Sequence, residues 1–174
     1  LFNTKSRRKS MFYGVDLHSD NVKVAILSED GKEVTTMRFS FGSLWFEKFL
    51  EKLTKDDYIA VEASTNTFWF YDLVAERVKR CIVIDPYQFD IISKSTVKTD
   101  KRDAIHLVKF LKYAILTGES LPEVYVPSKE VREGRQLFTT YNFFKKQLVM
   151  CKNRIHSLLK ENGYKISKES LEKE

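Results

Sequence analysis

Three short apolar runs separated by turns, then a helical run, then two further apolar runs constrain the fold of this chain more than any other feature. Phe12–Leu17 and Val22–Leu27 read as strands, with His18 to Asn21 as the turn between them. Glu29, Asp30 and Gly31 make the next turn, and Glu33–Phe41 alternates well enough for a third strand. Leu44, Phe46, Phe49, Leu50 and Leu53 recur at helical spacing, so the meander is left through a helix that crosses over the sheet. A crossover leads to a parallel strand, which Tyr58–Val61 supplies, ending at Glu62. The segment AST then opens a helix through Trp69, Leu73, Val74 and Val78. Cys81–Ile84 is another buried strand, stopped by Asp85 and Pro86 and followed by a short helical piece over Tyr87–Ile92.

This is the element order of an RNase H-like α/β fold, a mixed sheet with flanking helices. In that architecture the first strand, the end of the fourth and a later helix converge. Asp16 stands near the end of the apolar strand YGVDL, where an unpaired carboxylate is costly, and Glu62 repeats the situation after YIAV. The later helix is predicted from about Asp100 to Leu116, with Ala104, Leu107, Val108, Leu111 and Ile115 along one side. With Thr99 as its cap, Asp100 and Asp103 lie one above the other on one face. Lys94, Lys98, Lys101, Arg102 and Lys109 surround that pair.

Two readings stay open for these acids. Each alone suits a strand-end or first-turn carboxylate that complements a helix dipole or a neighbouring loop. Together, four clustered carboxylates repel one another and need cations among them. Two divalent ions roughly 4 Å apart, Mg²⁺ or Mn²⁺, would satisfy Asp16, Glu62, Asp100 and Asp103, activate a hydroxyl nucleophile and stabilise the leaving oxygen of a phosphodiester. Lys94, Lys98, Lys101 and Arg102 then become phosphate contacts. Thr65, Asn66, Phe68 and Trp69 follow Glu62 and can line the mouth of such a site, with Phe68 and Trp69 better suited to the core or an interface, whereas His18, His106 and His156 are assigned to no metal.

Gly118 ends the later helix, and Pro122 and Pro127 bracket an extended linker. A long helix starts at Ser128, and along it Leu137, Tyr141, Phe144, Leu148, Cys151, Ile155 and Leu158 alternate spacings of four and three, the pattern of a coiled-coil seam. No acid occurs between Glu133 and Glu161, while Arg135, Lys145, Lys146, Lys152 and Arg154 line the other faces as candidate nucleic-acid contacts. Asn162 and Gly163 stop the helix. The expected organisation is a basic arm over 1–11, an RNase H-like domain over 12–120 and a helical, coiled-coil extension over 128–163 that pairs with a second copy in a homo-oligomer. The net charge of +6 favours an anionic partner such as DNA. Cys81 and Cys151 form no disulfide or zinc pattern, which fits a reducing cytoplasm, and no apolar run approaches the roughly 20 residues of a membrane span.

The segments GVDLHSDNVKVAIL, VEAST, VIDPYQ, KTDKRDA and CKNRIHSLL resemble the ordered motifs of the DEDD insertion-sequence transposases. The N-terminal domain of those enzymes is similar to the RuvC Holliday-junction resolvase, and their relatives include invertases of pilin genes. The resemblance runs from about Phe12 to Gly163, and position by position it places the four family acids on Asp16, Glu62, Asp100 and Asp103. It implies metal-dependent cleavage and transfer of DNA strands. It also implies a guide RNA as partner and a C-terminal domain bearing a serine nucleophile, a role that no serine of this sequence takes. Two other classes remain in play. GVDLHSDNVKVAIL is also similar to the first phosphate loop of actin-like and sugar-kinase ATPases, although Leu17 and His18 stand where those loops favour Gly, Ser and Thr. The third class is a non-catalytic nucleic-acid-binding and dimerisation fragment.

Overall fold

A computed structural model describes residues 9–93 and 103–165. The chain divides into two compact units, Leu1–Val126 and Pro127–Glu174.

The first unit is built on a five-stranded mixed sheet. Strands β1 (Met11–Leu17), β2 (Asn21–Ser28) and β3 (Thr35–Ser40) form the antiparallel meander, and β4 (Tyr58–Glu62) and β5 (Arg80–Ile84) add in parallel beside β1, giving the order β3-β2-β1-β4-β5. Helices α1 (Leu44–Lys52) and α2 (Thr67–Val74) make the crossovers, and α3 (Pro86–Ser93) and α4 (Asp103–Thr117) follow β5. This is the α/β element order that the apolar periodicity predicts. Ser43 starts α1 by accepting a hydrogen bond from Phe46 N at 3.2 Å, which satisfies one of the free donors of the first turn.

Alternation along the strands sorts the core into two layers. Tyr13, Val15, Val24, Ile59 and Val61 face α1 and α2, where Phe46, Phe49, Phe70 and Val74 meet them. Phe12, Ala25, Ala60, Ile82 and Ile84 face the other way, onto Ala104, Leu107, Val108 and Leu111 of α4. Gly14 belongs to this second face. A Cβ there would lie 2.2 Å from Ala104 O and 2.6 Å from Val108 N, so only glycine lets the α4 backbone settle directly on β1. Lys112, two turns further along α4, donates to Ser28 O and Gly31 O at 2.8 and 2.9 Å, beside the first residue of β1. Helix α4 therefore runs against β1, with its N-terminus toward the end of the strand that carries Asp16.

Two local departures have physical causes. Helix α2 ends at Val74 rather than continuing to Val78, because the chain turns through Arg77 N to Val74 O and Lys79 N to Asp57 O. Val78 still drops into the core from this turn, so its spacing from Val74 reports burial and not helix. The segment after Pro122 is also more than a linker. Asp85 N donates to Pro122 O and Val124 N to Val83 O, so this stretch covers the outer edge of β5. Buried Asp57 accepts from Met11 N, Thr54 N and Thr54 Oγ1 at 3.1, 2.8 and 3.0 Å, which ties the start of β1 to the loop before β4.

The second unit contains α5 (Lys129–Glu161), capped by Ser128 Oγ and closed by Asn162, with Gly163 at a φ of +81°. None of its residues is buried. The expected seam residues are all exposed, and so are Phe143 and Met150, which lie off that seam. No helix among the described residues is long and apolar enough to cross a membrane.

Candidate functional site

The site begins with register. Val15 of β1 pairs with Val61 of β4, so Asp16 and Glu62 are the next residues along two adjacent parallel strands. Such strands run about 4.8 Å apart, and residues at the same register point to the same face. By alternation that face is the one carrying Phe12, Gly14 and Ala60, the face on which α4 lies. Asp16 is two residues beyond Gly14, about 6.6 Å further along the strand at the usual rise. The N-terminus of α4, with Asp103 as its first residue, comes down toward the same end of the sheet. The first-turn backbone N–H groups of a helix lack intrahelical partners, and together with the helix dipole they favour negative charge there.

The loops that follow the two strands are fastened to each other. The β1–β2 turn is closed by His18 N donating to Asn21 O at 2.9 Å, and Asn66 Nδ2 donates to His18 O at 2.9 Å. Beyond Glu62, Thr67 Oγ1 donates to Glu62 O and accepts from Ser64 N, both at 2.7 Å. Thr67 is buried, so the AST segment is locked at the end of β4. Of the four residues expected to line the site mouth, Asn66 thus joins the two loops. Trp69 packs against Phe46 and Phe41, with ring centroids 6.1 and 4.9 Å away, in keeping with its expected packing role.

Asp16 is 21% exposed and has two basic neighbours. Its Oδ2 lies 3.1 Å from His18 Nε2 and 3.7 Å from Lys23 Nζ. The histidine contact lacks hydrogen-bond alignment, which leaves Nε2 buried beside the carboxylate without a hydrogen-bond partner among the described residues. Lys23 was not singled out by sequence. The signal was available, because the short turn sets Lys23 directly across the hairpin from Asp16.

The remaining predicted residues divide as follows. Asp103 opens α4. Asp100 lies outside the described residues, as do Lys94, Lys98, Lys101 and Arg102. Among the described residues no group of three or more His, Cys, Asp and Glu is gathered as a metal site. The described half of the constellation is the Asp16 and Glu62 pair. Their carboxylate oxygens are the hard donors that suit Mg²⁺ or Mn²⁺ rather than a thiophilic metal. On α5, Arg135, Lys145, Lys146 and Arg154 are exposed and Lys152 is half-buried.

Comparison with known proteins adds two findings. The sequence model of the IS110-type DEDD family, described as "Transposase", matches residues 13–163. A transposase for insertion sequence element IS1533 from Leptospira borgpetersenii is 24% identical over 109 residues, covering 60% of this chain. The match spans 32% of that relative, so the chain corresponds to about a third of its length.

Proposed function

The chain belongs to the IS110-type DEDD transposases, and from that premise we propose that its first unit is the RNase H-like, RuvC-like catalytic domain of a DNA transposase. Asp16, Glu62, Asp100 and Asp103 hold divalent metal for DNA strand cleavage and transfer. The observation that carries this reading is the shared register of Asp16 and Glu62, on the sheet face that α4 approaches with Asp103 at its head. An all-oxygen donor set of four carboxylates fits Mg²⁺ or Mn²⁺. Bound there, such ions supply an activated oxygen nucleophile and charge at the leaving oxygen. The chain's own groups hold the ions and orient the DNA. Lys23 offsets the Asp16 charge before metal arrives, and Lys94, Lys98, Lys101 and Arg102 take phosphate oxygens.

In this reading α5 has two roles. Its seam from Leu137 to Leu158 pairs with a second copy, and Arg135, Lys145, Lys146, Lys152 and Arg154 contact nucleic-acid backbone. A guide RNA, as the resemblance implies, is a second polyanion for the same cations.

Calorimetric titration of Mg²⁺ and Mn²⁺ into wild type, Asp16→Asn and Asp103→Asn tests the proposal. Each variant should bind at least tenfold more weakly, the loss of one charged ligand from a shared site. Equal affinity in all three would end the metal reading. Stabilisation by ATP in the absence of nucleic acid would favour the actin-like alternative.

A further inference from the structure

The face of the sheet opposite Asp16 and Glu62 carries a second feature. Between α1 and strands β1 to β3 lies a cavity of about 850 Å³, in the range of small-ligand pockets. Its floor is aromatic: Phe39 stacks on Phe49 with centroids 5.5 Å apart, and Tyr13 meets the edge of Phe49 at 5.7 Å. Trp45 forms a wall and is 68% exposed, a large apolar surface left open to solvent. Lys48 Nζ sits 5.1 Å from the Trp45 ring centroid. Lys52 also reaches the rim, as does Lys9, which is paired with Asp30, and one acid, Glu51, lines the pocket.

A flat apolar group carrying negative charge fits this combination of rings and cations, which is how proteins hold unpaired bases and the phosphates between them. Neither an uncharged apolar ligand nor duplex DNA, whose bases are stacked away, uses both halves of it. We propose that this pocket binds an unpaired nucleotide of single-stranded DNA, with the base against Trp45 and the flanking phosphates on Lys48 and Lys52. The assignment to DNA rests on the transposase reading. The location does not, since the pocket is on the α1 face, toward the start of β1, and shares no residue with the acid pair.

The test is binding of a labelled dT12 oligonucleotide to the full chain in EDTA and low salt. Trp45→Ala should weaken binding about tenfold, the usual effect of losing one base–aromatic stack. Lys48→Gln should weaken it less and flatten its salt dependence. A 12-mer of abasic sites should bind wild type as weakly as dT12 binds Trp45→Ala, and the variant should not lower it further. Thermal melting checks that both variants are folded, which the exposure of Trp45 favours. Equal dT12 affinity in wild type and Trp45→Ala would overturn the proposal, as would equal affinity for the abasic strand. Tighter binding of rU12 than dT12 through Trp45 would overturn the assignment to DNA. The assay is run in EDTA, which leaves the acid pair without metal, whereas the metal reading is tested by calorimetry without DNA, so failure here and failure of the metal reading are separately visible.

Discussion

Replacing Gly14 by alanine should separate the packing of α4 from everything else the sheet does. The new methyl would start 2.2 Å from Ala104 O, 2.6 Å from Val108 N and 3.0 Å from Val108 Cβ, and two of these three atoms are backbone that no rotamer change can move. Ordinary contact begins at 3.4 Å, so α4 must withdraw from β1 by about 1 Å along its first two turns. A gap of that size forfeits roughly a quarter to a half of the dispersion contacts across it. Leu107, Val108 and Leu111 bury essentially all of their side chains at this seam. With about 2 kcal/mol of burial at stake in each, the loss is about 1.5–3 kcal/mol. For a chain of this size that lowers the melting temperature by about 5–10 °C. Thermal unfolding by circular dichroism measures the shift. Gly134→Ala is the control: it lies in α5 with no atom within 4 Å of the new Cβ, and should be neutral or slightly stabilising. Below its transition, Gly14→Ala should also bind Mg²⁺ less tightly, because the helix that begins at Asp103 has moved. A melting temperature equal to wild type would refute the close-approach argument.

Three further outcomes follow from the same geometry. Lys23→Met removes a cation 3.7 Å from Asp16, and for a partly exposed pair worth about 1 kcal/mol it should raise divalent-metal affinity about fivefold in calorimetry; no change would argue against Asp16 as a ligand. The Cys81 thiol is pushed from its ordinary 9.0 up to about 12, by burial first and by Glu123 second. The folded state therefore holds this proton more tightly than the unfolded state, so its contribution to stability is complete below pH 9 and is lost as pH rises toward 12. Denaturation across that window should show a shallower decline in Cys81→Val, and alkylation of the native protein at neutral pH should modify exposed Cys151 alone. Leu148→Asp in the α5 seam should reduce the sedimenting mass to that of one chain, and an unchanged mass would remove the seam from self-association.

The meander, the crossovers and the α4 core were legible because their apolar residues repeat with period two in strands and near 3.6 in helices. The same signal misled at Val78, where a turn residue happens to fall four positions after Val74 and enters the same core. Asp16 and Glu62 were legible as acids at the ends of apolar strands, and the register between them follows from the parallel pairing of β1 and β4. Asp57 and Trp45 were not, and Lys23 was legible only through the predicted hairpin. Lys23 becomes relevant only once the hairpin sets it across from Asp16. Asp57 sits in the polar run KDDY, and nothing local shows that it is fully buried and bonded to Met11 and Thr54. Trp45 falls between Leu44 and Phe46, which helical spacing placed on one apolar face, yet only Phe46 is buried and Leu44 is exposed. Periodicity cannot say that α1 leaves part of the sheet uncovered beside it.

The two faces of the sheet therefore make opposite electrostatic demands, and this separates their ligands. On the α4 face, Asp16 and Glu62 are adjacent carboxylates that attract cations and would repel a bare phosphate. DNA can approach them only with metal bound or with basic groups interposed, so chelation should abolish binding that depends on Asp16. On the α1 face, Lys48, Lys52 and four aromatic rings surround a pocket with a single lining acid, with Lys9 at the rim paired to Asp30, and chelation leaves that chemistry untouched. The sheet edges differ in the same sense. The stretch after Pro122 covers β5, whereas β3, which contributes Met37 and Phe39 to the pocket, is the other end of the sheet order. A strand laid along the α1 face can thus reach the pocket from the β3 side without crossing the acidic end of β1 and β4. On the proposed reading, metal is needed for strand cleavage but not for holding a strand, so the dT12 affinity lost in Trp45→Ala should be the same with Mg²⁺ as with EDTA.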